Sequence, residues 1–244
     1  MTLSYQQKIA ACVLVLYWPG LFVVAHIPIP HVVQEAEVSD KSLHFLAYLI
    51  LTFLVWSAVG GNRKVQWRRA APWLVLLLII VYGILDEWLQ TFVAGRCGDV
   101  RDFFTDLAGA VAGLILSSFL TFWPAGLLVA ATVIFGVTNV TRANLDDLMP
   151  VTNAVFHLFS YAILTVLWIQ CTHLFSVVRA PKAKWLISAL AGPAGFLIIV
   201  KLFSAIAGKD FALSEVIISL GAIAAIVTVF YLRALFYKTQ GSNS

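Results

Sequence analysis

Leu43-His44-Phe-Leu-Ala-Tyr48-Leu-Ile-Leu-Thr52-Phe-Leu-Val-Trp-Ser-Ala-Val-Gly60 runs through residues 43–60 without a formal charge. A helix needs roughly 20 such residues to cross the hydrocarbon of a bilayer. Comparable runs recur at 8–25, 71–91, 103–121, 124–140, 154–174, 185–206 and 213–235. The pattern predicts an all-α, polytopic membrane protein of about eight transmembrane helices. Composition agrees: 61% of residues are hydrophobic and 11% charged, with a mean hydropathy of +0.93, which leaves no room for a sizeable soluble domain. The fourth and fifth spans are separated at Trp123-Pro124, because proline cannot continue a helix interior and tryptophan favours the interface. The first span holds Lys8 and Pro19-Gly20 and has no small-residue cleavage site after it, so a retained helix is expected rather than a secretory signal.

Basic residues set the expected orientation. Lys8, the Arg63-Lys64-Arg68-Arg69 segment, the Arg179-Lys182-Lys184 segment and Arg233 with Lys238 would lie in the cytoplasm, which places both termini there. All acidic residues, from Glu35, Glu37 and Asp40 through Asp86, Glu87, Asp99, Asp102, Asp106, Asp146 and Asp147 to Asp210 and Glu215, then fall in the outer half. The net charge of +4 is a topology signature facing anionic lipid, and gives no reason to expect a nucleic-acid partner. Cys12, Cys97 and Cys171 are too dispersed for a disulfide framework. Cys97, beside Arg96, is read as an ordinary loop residue, although a neighbouring cation could make it reactive.

The chain carries signs of an internal repeat at an offset of 112 to 113 residues. His44-x-x-x-Tyr48-x-x-x-Thr52 returns as His157-x-x-x-Tyr161-x-x-x-Thr165, Asp40 is matched by Asn153, and Leu-Ala-Gly-Ala at 107–110 is echoed by Ser-Leu-Gly-Ala at 219–222. Two parallel four-helix repeats are expected, at 1–123 and 124–244. In this alignment Ile199 and Leu202 stand opposite Glu87 and Gln90, and Phe211, Ser214 and Ile218 opposite Asp99, Asp102 and Asp106. The second copy is therefore expected to be degenerate and to have lost the polar set.

The polar set of the first half is dense. Asp86 and Glu87 lie four and three residues before Gln90, each within its side-chain reach. Carboxylates in hydrocarbon are costly, so they ordinarily face a cavity or partner and mark function. Asp99, Asp102 and Asp106 follow i, i+3, i+7 spacing. Asp99 as N-cap with Asp102 three residues on resembles a capping box, which explains those two but leaves Asp106 unexplained. Arg96 suits bidentate pairing with a carboxylate or an anionic lipid headgroup. Gly109 and Gly113 form a small-xxx-small face read as close helix packing. His44, with Asp40 nearby, could be a general base, a metal ligand or a hydrogen-bonded interface residue. No His-x-x-x-His or comparable ligand pair appears, so no metal is expected, and His26 and His31 are read as solvated.

Taken together, Asp40-Lys41-x-x-His44-Phe45-x-x-Tyr48 and Gly83-x-x-Asp86-Glu87-x-x-Gln90-x-Phe92-x-x-Gly95-Arg96-x-x-Asp99-x-x-Asp102-x-x-x-Asp106-x-x-Gly109 resemble the VanZ-like family. The resemblance implies a small polytopic protein of the bacterial cytoplasmic membrane, a cell-envelope role, and an association with resistance to the glycopeptide teicoplanin. It adds Lys41 and Tyr48 to the candidate ligand-binding residues Asp86, Gln90, Arg96, Asp99 and Asp106. It supplies no mechanism or cofactor, and the family usually has Asn where this chain has Asp106. Three functions follow. The first is binding of an anionic lipid, a lipid-linked wall precursor or a glycopeptide-related ligand at the outer face. The second is acid/base catalysis on a lipid-linked substrate by Glu87, His44 and Asp102. The third, a transporter or flippase, is disfavoured because the acids lie at one face only.

Overall fold

The computed structural model describes residues 2–28, 40–94, 96, 98–140, 149–176, 178–210 and 212–241. The expectations for His31, Glu35, Glu37, Cys97, Asp146, Asp147 and Phe211 lie outside them. The described residues form eight helices and no strand: α1 Tyr5–Ala25, α2 Asp40–Gly60, α3 Ala70–Gln90, α4 Val100–Phe119, α5 Phe122–Val140, α6 Pro150–Phe175, α7 Ala183–Ile206 and α8 Leu213–Gly241. Each is long and apolar enough to cross a membrane. The helices begin up to four residues before the apolar runs, because polar first-turn residues such as Asp40 and Arg101 join them. The break between α4 and α5 falls at Leu120, whose backbone is extended, and Pro124 sits in the first turn of α5, where no helical donor is lost.

The chain divides into two compact units, Met1–Val140 and Thr141–Ser244. In the first, α2 is the central helix and packs against α1, α4 and α5. Its central position follows from both flanks. On one side, Gly109 and Gly113 let α4 approach so closely that a Cβ at Gly109 would stand 2.4 Å from the Phe45 carbonyl oxygen. Without a hydrophobic force between helices in lipid, such backbone approach is a main source of packing energy. On the other side, Phe122, Ala125 and Val129 of α5 join Leu49, Phe53 and Leu54, with Phe122 stacked on Phe53. The repeat assigns α5 to the second half; by packing it lies in the first unit.

Polar contacts tie α1 to α2. Ser4 and Gln7 form a capping box, and the Gln7 amide donates to the carbonyls of Ala58 and Val59 at the end of α2. Tyr17 donates to the Ala47 carbonyl at 2.9 Å. In the second unit α6, α7 and α8 pack on one another around Tyr161, Ile169, Trp185, Val200 and Ile223. Exposed side chains such as Leu16, Leu74, Ile187 and Ile198 are apolar, as lipid-facing surfaces require.

Candidate functional site

The C-terminal ends of α1 and α3 and the N-terminal ends of α2 and α4 meet at one end of the first unit. The close approach at Gly109 sets the geometry, because it brings Asp106, one turn earlier on α4, alongside His44 on α2. His44 Nδ1 and Asp106 Oδ1 are 2.9 Å apart, with both residues buried. An ionised carboxylate only accepts, so His44 Nδ1–H is the donor. Asp40 Oδ1 lies 3.8 Å from the other ring nitrogen, Nε2.

At the end of α3, Gln90 Nε2 donates to Asp86 Oδ2 at 3.0 Å. Glu87 Oε2 accepts the backbone N–H of Asp99 at 2.9 Å. That contact requires the chain before α4 to lie against α3, which glycine permits: a Cβ at Gly98 would stand 2.7 Å from the Glu87 carbonyl oxygen. Asp99 is the N-cap of α4, its Oδ1 accepting from the Arg101 N–H at 2.9 Å. The reciprocal arm of the expected capping box is made by Glu87, not by Asp102, so the Asp102 side chain is released into the cluster.

The geometry therefore joins His44, Asp86, Glu87, Gln90, Asp99, Asp102 and Asp106. Tyr48 is also buried there, its ring 5.9 Å from that of Tyr82. Lys41 lies at the exposed start of α2. Arg96 points elsewhere: its Nε and Nη2 donate to the carbonyls of Ile27 and Val24, capping the end of α1 where a cation suits the helix dipole. Sequence reasoning missed His26. Its Nδ1 lies 2.8 Å from the Phe22 carbonyl and 3.9 Å from Asp86 Oδ1, so it joins the cluster rather than facing solvent. The signal available was its place just past α1, opposite Asp86.

What distinguishes the cluster is its imbalance. Asp86 Oδ1, Glu87 Oε1, Asp102 Oδ1 and Asp106 Oδ2 are buried without a hydrogen-bond partner, as are the hydroxyls of Tyr48 and Tyr82 and His26 Nε2. Among the described residues no lysine or arginine forms an ion pair with these carboxylates. Donor atoms of Asp40, His44 and Asp102, and separately of His44, Glu87 and Asp106, lie within 4.8 Å of one another. Beside the cluster, Leu14, Val15, Trp18, Pro19, Phe22, Val23 and Tyr82 line an apolar groove of about 500 Å³ between α1 and α3.

The second unit departs from expectation. It retains a polar set: His157 Nδ1 lies 3.2 Å from Ser219 Oγ, Asn153 Nδ2 donates to Glu215 Oε1 at 2.6 Å, and Lys201 pairs with Glu215. The expected alignment placed Ser214 and Ile218 opposite Asp102 and Asp106. The side chains that face His157 on α8 are Glu215 and Ser219, one residue further along.

Residues 21–123 match the family model described as VanZ/LLP1. The match contains α2, α3 and α4 with the end of α1, and so every residue of the first cluster; the VanZ-like resemblance holds for this region as a VanZ-like domain within a multi-pass membrane protein. It does not reach residues 124–244. No curated protein and no solved structure matches the chain.

Proposed function

We propose that this VanZ-like membrane protein serves the bacterial cell envelope by binding a lipid or lipid-linked wall precursor at the first-unit cluster, and so contributes to envelope maintenance or tolerance of teicoplanin-type glycopeptides. The observation that carries the reading is the adjacency of a buried, acceptor-rich cluster and an apolar groove at one end of the same helices. The groove suits an acyl or isoprenoid chain. The acceptors suit a headgroup rich in hydroxyl, amide or ammonium donors, such as the sugar portion of a wall precursor. Arg96, engaged with α1 carbonyls, acts here by holding the groove wall rather than by gripping a headgroup.

The basic segments support an orientation with the cluster outside and both termini in the cytoplasm, in the cytoplasmic membrane. The equal separation of 62 residues in His44–Asp106 and His157–Ser219 supports duplication as the origin of the two units.

A second reading rests on the His44–Asp106 hydrogen bond: a carboxylate-oriented imidazole with Glu87 nearby is equipped for acid/base chemistry on the same ligand. Native mass spectrometry of the gently purified chain, with lipidomics of the producing cells, separates the readings. Under binding, Glu87→Gln loses a lipid that the wild type retains, and the cellular lipidome is unchanged. Under catalysis, Glu87→Gln keeps the lipid and the cells accumulate it. Identical bound lipids and identical lipidomes in folded wild type and variant reject both.

A further inference from the structure

His44 presents its two ring nitrogens to different carboxylates. Nδ1–H is committed to Asp106 Oδ1 at 2.9 Å, which leaves Nε2 as the nitrogen with a lone pair. That nitrogen faces Asp40 Oδ1 at 3.8 Å, acceptor to acceptor. Asp102 completes the set: it is only 8% exposed, and its Oδ1 has no hydrogen-bond partner. The Glu87 contact to the Asp99 N–H is what frees it from capping.

We propose that Asp40, His44 Nε2 and Asp102 form a binding site for a divalent transition-metal cation, with Asp106 as the positioning carboxylate behind the imidazole. The proposal goes beyond the lipid reading and does not depend on it. A ligating histidine ordinarily donates its other N–H to a carboxylate or carbonyl, which fixes its tautomer and raises its basicity, and His44 already does so. A divalent cation offsets the charges of Asp40 and Asp102 and relieves the desolvation cost of the buried Asp102, with which, among the described residues, no lysine or arginine forms an ion pair. One imidazole and two carboxylates suit Zn²⁺ or Mn²⁺ and leave coordination positions for water or an oxygen of a bound ligand. Asp40, at the exposed first residue of α2, has the freedom to close onto an ion.

The second unit is the internal control. His157 faces Ser219 rather than an aspartate, and Glu215 is neutralised by Lys201, so that set has no need of a cation.

The test is a titration of Mn²⁺ into the full chain in lipid nanodiscs after stripping with a chelator, with free Mn²⁺ read by electron paramagnetic resonance and competition by Zn²⁺. The expected result is one saturable site per chain, displaced by Zn²⁺, and a rise in melting temperature on loading. Asp106→Asn should weaken binding about tenfold, the lower end of what loss of an orienting partner causes, and Asp102→Asn and His44→Gln should weaken it more. His157→Gln should leave it unchanged. Absence of saturable binding by the folded wild type overturns the proposal. So does equal affinity in Asp102→Asn and the wild type, or loss on Glu87→Gln with retention on Asp102→Asn, which would move the ion to the His44, Glu87 and Asp106 set. Bound lipid measured on the same samples fails or succeeds separately: lipid without metal rejects this site alone, and metal without lipid supports it while rejecting the lipid reading.

Discussion

His44 with Asp106 in the first unit and His157 with Ser219 in the second are built alike: a buried histidine near the start of one helix meets a side chain 62 residues later near the start of another. Tyr48 and Tyr161 follow each histidine by one turn, and Thr52 and Thr165 by two, all buried. The surroundings differ. The first histidine stands among four aspartates and a glutamate with which, among the described residues, no lysine or arginine forms an ion pair, whereas the second stands beside one glutamate held by Lys201 and Asn153. The lesson is that one helix-pair scaffold accepts two electrostatic solutions. A set that neutralises itself is explained by helix packing. A set that leaves four buried carboxylate oxygens without a hydrogen-bond partner asks for a ligand, because their desolvation cost is otherwise not offset by hydrogen bonding.

The sharpest way to break the comparison is at the glycines. At Gly109 a Cβ would lie 2.4 Å from the Phe45 carbonyl oxygen and 3.1 Å from the Leu49 nitrogen, both backbone atoms that cannot step aside singly. Gly109→Ala should force α4 away from α2, separate His44 from Asp106 and cost about 3 kcal/mol. At Gly221, its sequence counterpart, no atom lies within 4 Å of the added carbon. Gly221→Ala should be neutral or gain up to about 1 kcal/mol from the better helix former. Thermal unfolding of both variants in one detergent measures the difference, and similar losses would mean that close approach is not what builds the first cluster.

The charge solution of the second unit can be tested by removing its cation. Lys201→Met leaves the Glu215 carboxylate mostly buried beside His157, at a cost of about 2 kcal/mol, less than for a fully buried pair because both side chains keep some solvent contact. Adding Glu215→Gln removes the unpaired charge and should recover at least half of the loss. A double variant no more stable than Lys201→Met would show that the pair acts through shape rather than charge.

The positions of these residues along the chain were legible in unequal measure. Span number followed from run length together with the Trp123-Pro124 break, since hydrocarbon thickness admits few alternatives, while helix ends moved by up to six residues where polar residues join the helix. The first cluster was legible because its members bunch near helix ends and Gly109 and Gly113 mark the face on which α4 meets α2. The second was not, because the echo at 219–222 favours an offset of 112 while the histidines favour 113. One residue on a helix is about 100° of rotation, enough to exchange a buried face for a lipid-facing one. Under the shorter offset Ser214 and Ile218 take the inner positions; the structure gives them to Glu215 and Ser219. Arg96 was illegible for a different reason. Its guanidinium suits a carboxylate as well as a helix C-terminus, and only the fold brings Val24 and Ile27 within its reach.

The smallest expected effect carries the most specific information, because it should change sign between the units. Asp106→Asn keeps an oxygen to accept from His44 Nδ1–H and replaces Oδ2, which has no protein partner, by an amide donor among carboxylates. It also removes one charge from an unbalanced set. In chelator, with no cation to bind, the variant should therefore be more stable than the wild type by about 1 kcal/mol. The matching change in the second unit, Ser219→Ala, removes a hydroxyl from a satisfied pair and should cost about 1 kcal/mol, with or without metal. Saturating Mn²⁺ should cancel or reverse the advantage of Asp106→Asn, because the wild-type carboxylate supports the metal-bound imidazole better than an amide does. Loss of stability in chelator for both variants would make Asp106 a structural partner like Ser219 and erase the distinction between the two sets.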